Sequence, residues 1–241
     1  MFKILSIETS SELASAALLF GQKIIQRQTN GVTNHSQSIL PMVQSLLQEA
    51  GITLSECDAI AFGSGPGSFT GVRTACGVVQ GLAFGANLPV IPVVTLLALA
   101  EDCRNKTGAN HVLAALDARM GEVYWAQYRY DEAQQAWATL VEPTLSAPAL
   151  LVPNDVDGLA LVGNGFAAYP DKFTLPVALL AAAQSAVPQA EAVARLGKIE
   201  FAAGRCYPAE QAQPLYLRNK IALTIAERAA LTAANLNNGA V

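Results

Sequence analysis

Two acids stand at matching places in this sequence. Glu8 closes the apolar run that begins at Lys3 and is followed by Thr9-Ser10-Ser11, and Asp117 closes the run Val112–Leu116 ahead of a turn, Ala118-Arg119-Met120-Gly121. Two carboxylates at strand ends, joined by glycine loops, are what an autonomous ATP-dependent small-molecule kinase would need. The densest loop is Gly63-Ser64-Gly65-Pro66-Gly67-Ser68-Phe69-Thr70-Gly71-Val72-Arg73, where an apolar run hands over to a helical pattern. Glycines there let the backbone approach a ligand or a neighbouring chain, and a helix N-terminus favours an anion. Yet the phosphate-binding spacings fail. No lysine lies between Lys23 and Lys106, so GxxxxGK[ST] is ruled out, and neither Gly63-x-Gly65 nor Gly65-x-Gly67 continues into GxGxxG. Two readings stay open: an anion site on Gly65, Gly67, Ser68, Thr70 and Gly71, or a tight turn capped by Ser68 or Thr70. Metal ligands and nucleophiles are sparse. His35, His111 and the four separated cysteines Cys57, Cys76, Cys103 and Cys206 form no zinc spacing, and no GxSxG exists.

The elements that would position these groups repeat. Apolar runs and turns predict strands over 3–8, 14–20 and 23–28, a helix over 36–50, a buried strand over 58–62, a helix over 71–86, a strand over 88–94 and a helix over 95–103, in the order βββαβαβα. The second half begins alike, with strands over 112–116, 122–130 and 136–141, then 159–162 and a helix over 189–203. Lys3–Glu8 and Val112–Asp117 therefore read as one strand used twice in a duplicated α/β fold. The polar stretch Asn105–Asn110 reads as the linker, giving an N-terminal lobe over 1–106, a C-terminal lobe over 107–218 and a helical tail over 219–241, with a helix at 222–234.

One helix is unusual. Arg73, Gly77, Gly81 and Gly85 recur every four residues and so share a face. Each interior glycine costs a helix about 1 kcal/mol relative to alanine, so three on one stripe ask for a very close neighbour. That neighbour is another molecule, or the lobe's own sheet or adjacent helix. The apolar residues of the 36–50 helix, Ile39, Leu40, Met42, Val43, Leu46 and Leu47, wrap more than one side and make it the companion in a dimer interface.

Composition agrees with hidden surface. Charged residues make up 14% of the 241, against a usual share of about 25%. Hydrophobic residues reach 52% and the mean hydropathy is +0.31, which excludes a disordered chain. A net charge of −4 argues against gripping nucleic acid unaided. The uncharged stretch from Ala75 to Ala100 is broken by Pro89 and Pro92, so it reads as helix, turn, strand and helix rather than a membrane span. Isolated cysteines without a targeting run read as cytoplasmic.

Five strings carry a family resemblance: Ile4-Leu5-Ser6-Ile7-Glu8-Thr9-Ser10, His35-Ser36-Gln37-Ser38-Ile39-Leu40-Pro41-Met42-Val43, Gly65-Pro66-Gly67-Ser68-Phe69-Thr70-Gly71-Val72-Arg73, Leu116-Asp117-Ala118-Arg119-Met120-Gly121-Glu122-Val123-Tyr124 and Pro214-Leu215-Tyr216-Leu217-Arg218. The sequence closely resembles the TsaB (YeaZ) family. The resemblance implies two RNase H-like lobes of the actin, Hsp70 and sugar-kinase (ASKHA) type. It also implies a partnership with the paralogue TsaD and the small ATPase TsaE. Together these transfer a threonylcarbamoyl group from threonylcarbamoyl-AMP to N6 of the adenosine 3′ of the anticodon, in tRNAs reading ANN codons. The family's part is that of a non-catalytic scaffold, a homodimer when alone and meeting tRNA through the complex, with no membrane association. ATP and a metal ion are expected on the partner subunits and no cofactor on this chain. Where TsaD-like chains carry an HxxxH metal pair, this sequence has Thr95 and Leu99. Glu8 and Asp117 match the acids that in active relatives hold a metal-bound water near the nucleotide phosphates, so Glu8, Thr9, Ser10 and Asp117 are read as a vestigial nucleotide-binding set.

Overall fold

The structure is a computed structural model that describes residues 2–29 and 35–218, so the expected tail and its helix at 222–234 lie outside the described residues. Strands β1 (Lys3–Glu8), β2 (Ser15–Phe20) and β3 (Lys23–Gln28) form the antiparallel meander, turning at Gly21, whose φ is +66°. Helix α1 (His35–Ala50) leads to β4 (Ala59–Gly65), α2 (Phe69–Ala86), β5 (Val90–Val94) and α3 (Thr95–Thr107), the predicted βββαβαβα order. β4 is buried along its whole length and pairs in parallel with β1 and β5, giving a sheet of order β3-β2-β1-β4-β5.

The second sheet repeats that plan. β6 (His111–Arg119), β7 (Glu122–Asp131), β8 (Ala136–Ser146) and β9 (Ala160–Val162) lie in the order β8-β7-β6-β9. β6 has an antiparallel neighbour on one side and a parallel one on the other, as β1 does. Short helices α4 (Gly165–Ala168) and α5 (Val177–Ala181) follow, then α6 (Ala190–Ala202). The duplicated strand expected from sequence is present in the topology.

Packing does not follow chain order. α1 and α2 cover one face of the first sheet through Ile39, Leu46, Val79 and Ala83. The other face is covered by α6, whose Ala192, Val193 and Leu196 pack on Ile4, Ala59 and Ala61. Gly197 is needed there, since a Cβ would fall 2.6 Å from that of Ala61. α3 turns the opposite way: Leu96, Leu99 and Cys103 join Val112, Tyr124 and Tyr128 of the second sheet. The two sheets thus exchange helices, and Glu101, buried on α3, accepts the Trp137 indole N–H at 2.8 Å. The expected linker is shorter than its polarity suggested. Asn105–Thr107 continue α3, with Asn105 donating to Glu101 at 2.9 Å, Lys106 pairing with Asp102 and Thr107 donating to the Cys103 carbonyl, and the helix ends on Gly108. Polar side chains at i,i+4 spacing support that last turn instead of breaking it.

Candidate functional site

Loops at the C-terminal ends of β1, β4 and β6 converge with the segment Leu215–Arg218 on a cavity of about 480 Å³ between the sheets. Of the four residues read as a vestigial nucleotide set, Ser10 and Asp117 line this cavity and Glu8 and Thr9 do not. Glu8 is wholly buried and absent from the cavity wall. Its carboxylate occupies the space a Gly63 side chain would fill, and Oε1 accepts the Ser10 N–H at 2.6 Å. Oε2 has no hydrogen-bond partner, and burial pushes the carboxyl above its usual range against the pull of the Ser10 donors. Asp117 does line the cavity, but its oxygens are engaged. Oδ1 accepts from the Tyr169 hydroxyl and the Arg119 N–H, each at 2.8 Å, while Oδ2 lies 3.2 Å from the Arg119 guanidinium. The expected carboxylate pairing is therefore corrected: one acid is withdrawn into the core and the other is tied to its neighbours.

The glycine loop grips its own chain. A Cβ on Gly67 would fall 2.5 Å from the Ser10 carbonyl, and one on Gly71 would land on the Thr9 carbonyl. The Ser68 N–H donates to the Ser10 carbonyl at 2.7 Å and the Thr9 hydroxyl to the Gly71 carbonyl at 2.7 Å. Gly65 takes φ +102°, open to glycine, where the Leu215 carbonyl would lie 3.1 Å from a Cβ. Ser68 is the helix cap, its hydroxyl accepting from Gly71 N at 3.4 Å, and Thr70 sits in the first turn. Glu8, buried behind this wall, offers no carboxylate to a nucleotide or its metal in the cavity, whereas Ser10, Gly67, Ser68 and Asp117 line it. Among the described residues no three His, Cys, Asp or Glu side chains cluster closely enough to hold a metal ion. Thr95 and Leu99 are fully buried, Thr95 Oγ1 accepting the Gly65 N–H at 3.1 Å. His111 is a buried, satisfied histidine between the Asp157 carbonyl and the Gln127 amide, and His35 sits near the Glu12 carbonyl. Burial lifts the Cys57 thiol to about 11 and Cys76 to about 12, so neither is an activated nucleophile.

The bare helix face is the second feature. Arg73, Gly77, Gly81 and Gly85 are all exposed, and among the described residues a Cβ at any of the three glycines would meet nothing within 4 Å. The lobe's own sheet and α1 lie on the opposite side of α2, against Val72, Ala75, Cys76, Val79 and Ala83. Neither is therefore the stripe's close neighbour. The companion set on α1 needs correction, because Ile39, Met42, Val43 and Leu46 are 0–9% exposed in the lobe's own core. Leu40, 48% exposed, and the partly buried Leu47 are what α1 offers outward, and α2 exposes Phe84 at 82%. Sequence reading missed the setting of Arg73: its guanidinium lies 3.6 Å over the Phe69 ring and its Nε donates to the Tyr216 hydroxyl at 2.6 Å. Also missed were Asn164 and Tyr169, which hold Asp117, and the left-handed Arg119 and Met120 at φ +62° and +58°. The Gly163-Asn164-Gly165 string was the available signal for the first of these.

A family model described as TsaD, tRNA N6-adenosine threonylcarbamoyltransferase, matches residues 18–238. The TsaB protein of Escherichia coli K12, named for tRNA threonylcarbamoyladenosine biosynthesis, is 40% identical over 224 residues, covering 91% of this chain and 96% of that one. The chain belongs to the TsaB family. A Haemophilus influenzae TsaB is 36% identical over 90% of this chain and 94% of its own. The solved structure of YeaZ from Pseudomonas aeruginosa superposes with a TM-score of 0.81 at 39% identity, over 90% of this chain and all of that one. With TsaB membership, the two helix-exchanging sheets are the two lobes of the ASKHA fold expected from sequence. No described helix is long and apolar enough to cross a membrane.

Proposed function

We propose that this chain serves tRNA threonylcarbamoyladenosine biosynthesis as a non-catalytic subunit, docking the paralogue TsaD along the bare face of α2. Its relatives' names give the pathway. In this reading TsaD performs the transfer from threonylcarbamoyl-AMP to N6 of the adenosine 3′ of the anticodon, TsaE supplies ATP hydrolysis, and tRNA is met through the assembled complex in the cytoplasm. ATP and a metal ion reside on the partners, and the same face joins two copies when TsaD is absent, since an isologous contact can reuse one patch. The observation that carries the proposal is the glycine stripe, where added Cβ atoms would meet nothing among the described residues. A helix face of glycines admits another backbone at short range, and the exposed Phe84 of α2 and Leu40 of α1 supply apolar area. The kinase alternative would need two carboxylates in one cleft, and Glu8 does not line it. Gly81→Leu tests the proposal: the variant should fold normally, fail to co-elute with TsaD on a sizing column, and leave tRNA unmodified in a depleted strain. Undiminished co-elution would refute it.

A further inference from the structure

Arg73 stands at the head of the glycine stripe, and its state is unlike that of every other arginine in the described residues. Arg27, Arg104, Arg119, Arg129, Arg195, Arg205 and Arg218 each have a carboxylate within 4.0 Å, and Arg73 has none. It is nevertheless held in place. Phe69 lies under the guanidinium plane at 3.6 Å, the Tyr216 ring lies 5.5 Å away, and the Tyr216 hydroxyl takes the Nε hydrogen at 2.6 Å. Stacking and one hydrogen bond fix the plane while both terminal nitrogens stay uncommitted among the described residues. That edge is the one a carboxylate engages in two parallel hydrogen bonds. Ordering a long side chain in advance removes part of the entropic penalty of docking.

The chain's own docking helices cannot supply the missing acid. Across α1 and α2 the single acidic residue is Glu49, already bonded to Arg27. Two copies joined through these helices would therefore bring Arg73 no counter-charge from either helix. We infer that the α2 face is built for a chain other than itself, one that lays a helix along Gly77, Gly81 and Gly85 and presents an Asp or Glu to Arg73. This inference rests on the docking role proposed above and adds what distinguishes the intended partner from a second copy: a placed carboxylate.

The test compares two associations of the full-length chain, with purified TsaD by calorimetry and with itself by analytical ultracentrifugation. Arg73→Gln should weaken the TsaD pairing about ten-fold and leave self-association within two-fold. Arg73→Lys should recover part of the loss, because it keeps the charge without the fork. The wild-type TsaD affinity should fall with added salt more steeply than that of Arg73→Gln. Tyr216→Phe, which frees the guanidinium, should lose two- to three-fold. Equal losses in both associations, or none with TsaD, would overturn the inference. If the TsaD affinity is unchanged but the assembled complex retains tRNA less well, Arg73 serves a phosphate and the carboxylate is ruled out. Gly81→Leu separates the two levels: if it abolishes pairing while Arg73→Gln does not, the docking role stands and the carboxylate falls; if it leaves pairing intact, both fall.

Discussion

Two sets of glycines sit one after the other along the β4–α2 unit, and they are there for opposite reasons. Gly63, Gly67 and Gly71 are enclosed: a Cβ on each would strike the Glu8 carboxylate, the Ser10 carbonyl or the Thr9 carbonyl. Gly77, Gly81 and Gly85 are open, with no contact within 4 Å of the same construction among the described residues. The first set lets the β1 and β4 loop backbones lie together beside the cavity that Ser10, Gly67 and Ser68 line. The second weakens its own helix with no return among the described residues. One unit thus carries glycines fixed by contacts inside the lobe at its start and glycines with no contact among the described residues along its outer face.

The sharpest test of the enclosed set is Gly71→Ala. The methyl group must displace the Thr9 carbonyl and disturb the Thr9 hydroxyl bond to the Gly71 carbonyl. Backbone on one side and a fully buried strand on the other leave little room to relax. A loss of about 3 kcal/mol, at the upper end of overpacking penalties, should appear as a fall in melting temperature of roughly 6–12 °C. A melting curve matching the wild type would erase the difference between the two sets.

Glu8 sharpens the same point through pH. Its folded-state carboxyl titrates above the usual value of 4.5 because it is buried beside Gly63. Above 4.5 the unfolded chain gives up this proton while the folded chain keeps it. The stability contributed is therefore complete below 4.5 and lost as pH climbs through the folded-state value. Glu8→Gln cannot titrate, so wild type should lose ground to it as pH rises, with a slope of up to about 1.4 kcal/mol per pH unit inside that window. Urea midpoints for both proteins across pH 4–8 supply the measurement, and parallel curves would mean that the carboxylate has an outlet to water.

How much of this was readable from the chain depends on the range of the interactions. Periodicity set out α2 and its stripe, and alternating runs set out the meander and the repeated strand, because those patterns are local. The twin positions of β1 and β6 confirm the repeat through topology. What failed was long-range. Glu8 was legible as an acid at a strand end, but its withdrawal depends on Gly63, on another strand. α6 crosses back to the first sheet, which no reading in sequence order could decide, although its small residues Ala192, Ala194 and Gly197 hinted at close packing. On α1 the broad apolar surface looked two-sided, whereas four of the six named residues are needed by the lobe's own core. Arg73 was visible as part of the stripe, while Phe69 and Tyr216, which hold it, come from one turn away and from the far end of the chain.

The gentlest substitution bears on the open set. Gly77→Ala adds a methyl group that meets nothing among the described residues, so the isolated chain should gain about 0.5–1 kcal/mol of stability from helix propensity and reduced freedom in the unfolded state. Gly85→Ala, nearer the helix end at Asn87, should gain less. The same Gly77→Ala change should weaken docking, because one methyl group at a close backbone crossing pushes the partner helix outward. Thermal melts of the isolated chain and calorimetry against TsaD read the two effects separately. Opposite signs are the signature of a face kept bare for an outside neighbour. A gain in stability with affinity untouched would leave the stripe an unexplained weakness, and a loss of stability would mean that the helix packs against something within its own chain.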